Sequence, residues 1–131
     1  MKQLFTSLVR PQLEYANVVW HPYLKKDIES LERVQHRATR MVPGVVKLQY
    51  EERLKRMDLP SLTYRRTRRD AIEVYKYLHG IYKVDSAIML PLDAAVGMKT
   101  RGHSLKLEKG GCKSQLRLNF FGLRVVDMWN G

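Results

Sequence analysis

The chain has 131 residues, 44% of them hydrophobic, which is enough for one domain with a real core and too short for two comfortable ones. Its 24 Lys and Arg against 13 Asp and Glu give a formal net charge of +11 and a pI near 10.0, an excess that draws polyanions, nucleic acid first and an anionic membrane surface second. No apolar run approaches the ~18 residues of a membrane span; Arg10 and Pro11 interrupt the N-terminus before a secretory core could form; and the single cysteine, Cys112, excludes an internal disulfide and fits a reducing, intracellular compartment, nuclear or cytoplasmic.

The first segment, Lys2 to Trp20, sets Leu4, Phe5, Leu8, Tyr15 and Val19 on one broad face, with Pro11 in the middle removing a backbone donor. The pattern predicts a kinked helix or two short ones, ended by His21-Pro22. From Leu24 the spacing is strict: Leu24, Ile28, Leu31, Val34, Ala38, Met41 and Val42 make one helical stripe, and Arg33, Arg37 and Arg40 stand opposite it at i, i+4 and i+7. Two readings of those arginines stand side by side. In one they complement the helix dipole, with Glu29 and Arg33 as a surface pair; in the other they face a polyanion. Pro43-Gly44 ends this helix.

A short helix is expected at Tyr50 to Met57, then a turn at Asp58-Leu59-Pro60. Ser61 is placed to cap a long basic helix that Gly80 terminates. Tyr64, Thr67, Ala71, Val74, Tyr75 and Leu78 fall on one side of it, extended by Ile81 and Tyr82, so these tyrosines are read as core rather than as stacking platforms. Arg65, Arg66, Arg69 and Lys76 lie on the other side, with Arg68 on the flank. Asp70 follows Arg66 by four and Glu73 follows Arg69 by four, which leaves Arg65, Arg68 and Lys76 as the less committed cations.

After Asp85 the helical pattern fades. His103, Leu105 and Leu107 alternate with polar residues as a half-buried strand would, Gly110-Gly111 suits a turn, and Ser114 to Leu118 would be the return strand of a hairpin. This hairpin would carry Lys99, Arg101 and Lys106 as a second basic surface. Asn119 caps a closing amphipathic stretch, FFGLRVVDMW, which ends as though truncated. The organisation expected is mainly α: a bundle of about four to five helices over residues 1–95, then the small basic β-hairpin and the start of a truncated C-terminal helix over 96–131.

Residues for catalysis are hard to assemble. His21, His36, His79 and His103 lie far apart and have no Cys/His spacing of the zinc type. There is no phosphate-binding GxxxxGK[ST] loop and no Gly-x-Ser-x-Gly elbow. Asp27, Asp58, Asp70, Asp85, Asp93 and Asp127 are isolated, whereas metal-dependent nucleotidyl transfer needs clustered carboxylates for two Mg²⁺ ions. The chain by itself is therefore not expected to be an enzyme or to hold a cofactor. Phosphate contact by the arginines is the function that the residues support best.

Four runs, Leu8 to Gly44, Tyr50 to Gly80, Thr100 to Leu107 and Asn119 to Asn130, contain RPQLEY, WHPY, ERVQHRATR, YEERL, LPSLTYRR, TRGHS and FFGLRVVDMWN. In this order, and over essentially the whole chain, they resemble the region after the palm in reverse transcriptases of non-LTR, LINE-type (jockey-like) retrotransposons. The resemblance implies a thumb-like helical module and the start of the connecting region, which grips template and primer beside the active site. It implies RNA, DNA or an RNA–DNA hybrid as partner, together with the palm and fingers of the same polyprotein, and places the catalytic aspartates and their Mg²⁺ in that palm. Gly110-Gly111 and Gly122 depart from the family pattern, where charged or polar residues are usual. The alternative is a structural or interaction remnant without a nucleic-acid role, self-associating through exposed apolar surface.

Overall fold

The computed structural model describes residues 2–94 and 102–131. Lys99 and Arg101, and with them the start of the expected hairpin, lie outside the described residues. The chain is mainly helical and divides into two compact units, Met1–Thr67 and Arg68–Gly131. The boundary between them falls inside one long helix.

The first unit opens with α1 (Lys2–Leu4), a π-helical stretch (Phe5–Val9), α2 (Arg10–Glu14) and α3 (Asn17–Trp20). Pro11 accounts for the widened stretch. Its ring crowds the carbonyl four residues back, and the Arg10 N–H reaches the Phe5 carbonyl instead of making the regular bond. Ala16, in the left-handed region at φ 50°, separates α2 from α3. The fragmentation raises the number of helical segments above the four to five expected. The apolar face anticipated here does not form: Phe5 is buried, but Leu4, Leu8, Tyr15 and Val19 are exposed.

α4 (Lys25–Arg40), α5 (Tyr50–Met57) and α6 (Leu62–Leu78) follow. Their ends obey the sequence. Ser61 Oγ accepts the Tyr64 N–H at 3.2 Å as an N-cap. Gly80 sits at φ 66°, with Ile81 N–H on the Lys76 carbonyl and Gly80 N–H on that of Tyr77, which closes α6 as a Schellman motif. Asp58 does the same for α5 at φ 51°.

The buried faces are a correction to the apolar stripes. In α4 the buried residues are Gln35 and Thr39, while Leu24, Val34 and Met41 are exposed. In α6 the inward series is Leu62, Arg66, Asp70 and Val74, while Tyr64 and Tyr75 are 60% and 49% exposed and Ile81 is 59% exposed. The cause is a set of polar contacts with partners distant in sequence. Gln35 Nε2 donates to the Pro60 carbonyl at 3.0 Å and to Tyr50 Oη at 3.2 Å; Tyr50 Oη donates to Glu32; Glu32 also accepts the Leu62 N–H at 3.1 Å. Burial and the Glu32 carboxylate push the Tyr50 hydroxyl's pKa well up, so it stays a donor. Beside it the buried Arg53 guanidinium donates to Thr39 Oγ1 at 3.2 Å and to the Leu48 carbonyl at 3.0 Å.

In the second unit Val74, Leu90, Leu107, Phe121, Val125 and Val126 are buried. α7 (Gln115–Leu118) and α8 (Phe121–Asn130) complete the chain. The β-hairpin is not found: among the described residues there is no strand, and the expected return strand at Ser114 to Leu118 is α7 with its N-cap. Leu107 instead makes an isolated antiparallel bridge with Leu92, flanked by Asp93 N–H to the Lys106 carbonyl at 2.9 Å and Glu108 N–H to that of Pro91 at 2.8 Å.

Candidate nucleic-acid interface

Within the first unit, Arg33, Arg37 and Arg40 project from one face of α4, and all three are exposed. None of their side chains makes an ion pair or hydrogen bond among the described residues. The surface pair expected between Glu29 and Arg33 does not occur: Glu29 lies 3.9 Å from Lys25. At about 1.5 Å of rise per residue the three guanidinium stems span about 10 Å along the helix, a length over which a nucleic-acid strand presents two or three phosphates. Three planar forks with no internal acid can engage phosphate oxygens without first giving up a contact.

The cations at the start of α6 are differently placed. Arg65 is held by Glu14, with Nε and Nη2 both on the carboxylate, the second at 3.0 Å. That hydrogen bonding raises the Arg65 pKa. Glu14 is 7% exposed, so this pair belongs to the fold. Arg10 sits close by, its pKa lowered first by burial and then by Arg65. Arg66 is 2% exposed and reaches Thr63 Oγ1 at 3.2 Å. A phosphate cannot meet it on the surface.

In the second unit Arg68 and Arg69 are exposed, and the Arg68 side chain has no hydrogen bond or ion pair among the described residues. Lys76 is committed: its ammonium lies 3.3 Å from Glu73 and 3.4 Å from Tyr82 Oη, which itself donates to Glu73 at 2.8 Å. Those hydrogen bonds, to Tyr82 first and Glu73 second, raise the Lys76 pKa. Of the three cations read as less committed, Arg65, Arg68 and Lys76, only Arg68 keeps that status. Asp70 is paired with Arg124, whose Nη2 lies at 3.0 Å, with side chains 5% and 10% exposed. Lys106 is half-buried.

One feature of α6 escaped the periodicity. Tyr75 is half exposed and stacks on His79, with ring centroids 3.9 Å apart and planes at 20°. Arg68, Ile72, Tyr75 and His79 follow one another at helical spacing, and all are exposed. A guanidinium and an aromatic pair along one stripe suit a backbone phosphate and an unstacked base. The four-residue gap between Tyr75 and His79 could have signalled the pair, but a tyrosine on an apolar stripe gives no sign of which way that stripe turns.

Among the described residues no group of three or more His, Cys, Asp or Glu could hold a metal ion, and no helix is long and apolar enough to cross a membrane. Comparison with protein-family models, curated proteins and solved structures gives no match.

Proposed function

We propose that this chain is the thumb and connector region of a LINE-type reverse transcriptase and that it binds the sugar-phosphate backbone of a template-primer duplex without regard to sequence. The observation that carries this reading is the α4 face, where Arg33, Arg37 and Arg40 are exposed and their side chains make no ion pair or hydrogen bond among the described residues, in a chain of net charge +11. The motif series from RPQLEY to the closing WN supports the family, and the helical α4 to α6 segments are compatible with a thumb-like bundle. On this reading the palm and fingers belong to the same polyprotein, the Mg²⁺ and its aspartates belong to the palm, and the isolated chain is not an enzyme. Contact with about four phosphates gives a slope of log K against log salt near −3 to −4. Anisotropy of a labelled RNA–DNA hybrid measured at several salt concentrations tests this. Replacing Arg33, Arg37 and Arg40 together by Ala should lower the slope by about 3. Binding indifferent to salt, or a triple variant within twofold of the parent, refutes it.

A second reading, a structural remnant that self-associates, has its own support in the exposure of Leu8, Tyr15 and Val19 at 62%, 78% and 84%. It predicts oligomers that grow with protein concentration and persist when hybrid is added. Light scattering with and without hybrid separates the two.

A further inference from the structure

A cavity of about 300 Å³ lies within the second unit, between the Ile88–Pro91 segment, the 108–111 loop and the start of α8. Its apolar wall is Phe120 and Leu123, and Phe120 is 53% exposed. Arg117 and Glu108 both line it, both are exposed, and neither side chain has an ion pair or hydrogen bond among the described residues. Opposite charges that share a cavity without pairing leave each available to a ligand. Glycine forms much of the remaining surface. Gly110 and Gly111 present bare backbone, and at Gly122 a Cβ would come within 2.4 Å of the Met89 carbonyl oxygen. The close approach that shapes the cavity floor therefore requires glycine there.

The lining suits a flat apolar body for Phe120, an anion for Arg117 and hydrogen-bond donors for the Glu108 carboxylate oxygens. At ~300 Å³, the small end of the range for ligand pockets, the space suits one nucleotide and not a strand. Among the bases, guanine alone presents two adjacent donors, N1–H and the 2-amino group, on its Watson–Crick edge. Adenine and cytosine set an acceptor beside their amino group, and uracil has a single donor between two carbonyls. We infer that this cavity is a guanine-nucleotide site, with the base stacked on Phe120 and hydrogen-bonded to Glu108 and the phosphate on Arg117. The nucleotide is either free or an unstacked residue of a single strand. The strand source rests on the nucleic-acid reading above; the free-nucleotide source does not.

Calorimetric titration of the full chain with GMP, AMP and the trinucleotides UGU and UAU tests the site. GMP and UGU should bind at least fivefold tighter than AMP and UAU. Glu108→Gln should reduce that preference below twofold, and Arg117→Ala should weaken all four about fivefold. Both positions are exposed, so the variants keep the fold. UGU at least tenfold tighter than GMP identifies a strand, and equal affinities identify a free nucleotide. Failure of GMP and UGU to bind at millimolar concentration, or a guanine preference that survives Glu108→Gln, overturns the inference. Hybrid binding by the same Arg117→Ala variant reads the α4 interface separately and should stay unchanged, so loss of one site leaves the other measurable.

Discussion

Arg53 is 3% exposed, and no carboxylate lies within ion-pairing distance of it among the described residues. Its guanidinium is held by neutral groups: Thr39 Oγ1, the Leu48 carbonyl and, at 3.2 Å, His36 Nε2. Neutral hydrogen bonds and the Tyr50 ring, 5.8 Å from the guanidinium carbon, offset only part of the desolvation of a buried cation that has no acid partner, so an apolar replacement of similar length recovers much of what the lost hydrogen bonds cost. In Arg53→Met the Leu48 carbonyl loses this donor, at about 1–3 kcal/mol, and removing the charge offsets most of that, for a net change within about 1 kcal/mol. Arg53→Ala loses the same bonds and opens a cavity as well, for a total of about 2–4 kcal/mol. In urea the Ala variant should shift the midpoint by about 1–2 M and the Met variant by a fraction of that. Hydrogen exchange over residues 48–57 locates the loss. A Met variant as damaging as the Ala variant would refute this and mean that the buried guanidinium contributes net stability. His36 supplies a pH arm. Burial first, then the positive charges of Arg53 and Arg40, lower its pKa. The unfolded chain thus takes up the His36 proton more readily than the folded one. The contribution of neutral His36 is complete above the ordinary histidine value of about 6.5 and declines as pH falls below it toward the lowered folded value. Arg53→Met removes one of the repelling charges and should flatten that decline.

Glu14 and Arg65 form a mostly buried pair with two hydrogen bonds, and a double-mutant cycle with Glu14→Gln and Arg65→Met should return a coupling of about 1–3 kcal/mol, measured by urea denaturation. A coupling below about 0.5 kcal/mol would make it an ordinary surface pair. Gly122→Ala gains helix propensity but drives its Cβ against the Met89 carbonyl, with a net loss of about 1–3 kcal/mol; an unchanged melting temperature would deny the close approach. Asn130→Ala removes both hydrogen bonds to the Leu107 backbone and should cost about 2–4 kcal/mol, and Asn130→Asp, which keeps the acceptor but sets a carboxylate oxygen against the Leu107 carbonyl, should cost at least as much, both read from thermal unfolding.

The positions of α4, α5 and α6 were legible because their ends carry local chemistry: Ser61 before α6, Gly80 after it, and the Pro43-Gly44 break after α4. The faces those helices bury were not. Periodicity weighs apolar against polar residues and so pointed Leu24, Val34 and Met41 inward. Burial is decided instead by pairs that close over long separations, such as Glu32 with Tyr50, Glu14 with Arg65 and Asp70 with Arg124. The same pairs sort the arginines. Local spacing assigned Asp70 to Arg66 and Glu73 to Arg69 and left Arg65 and Lys76 open, but Glu14, 51 residues away from Arg65, takes the first of these and Glu73 takes the second. Arg33, Arg37 and Arg40 are exposed, and among the described residues no acid pairs with them.

The missing hairpin has a specific cause. A segment such as Leu105–Leu107, with Leu107 1% exposed, must satisfy its backbone groups, and a second strand is the usual partner. Here the Pro91–Asp93 segment pairs on one side and the closing residues of α8 satisfy the other. Asn130 Oδ1 accepts the Leu107 N–H at 2.9 Å while its Nδ2 donates to the Leu107 carbonyl at 2.8 Å, so one side-chain amide copies the two bonds of an antiparallel neighbour. Trp129 Nε1 donates to the Leu105 carbonyl at 2.8 Å, and the His103 ring meets the Trp129 ring edge-on, with centroids 5.7 Å apart. With these bonds made, Ser114 to Leu118 is under no demand to extend, and Gln115–Leu118 coils. The alternation of His103, Leu105 and Leu107 therefore misled over most of its length: Ser104 and Leu105 lie in a turn, and only Leu107 pairs like a strand residue, with Leu92 upstream and not with the nearest downstream segment. The 103–107 segment and Trp129-Asn130 are two halves of one structural unit, joined by side-chain hydrogen bonds to the Leu105 and Leu107 backbone.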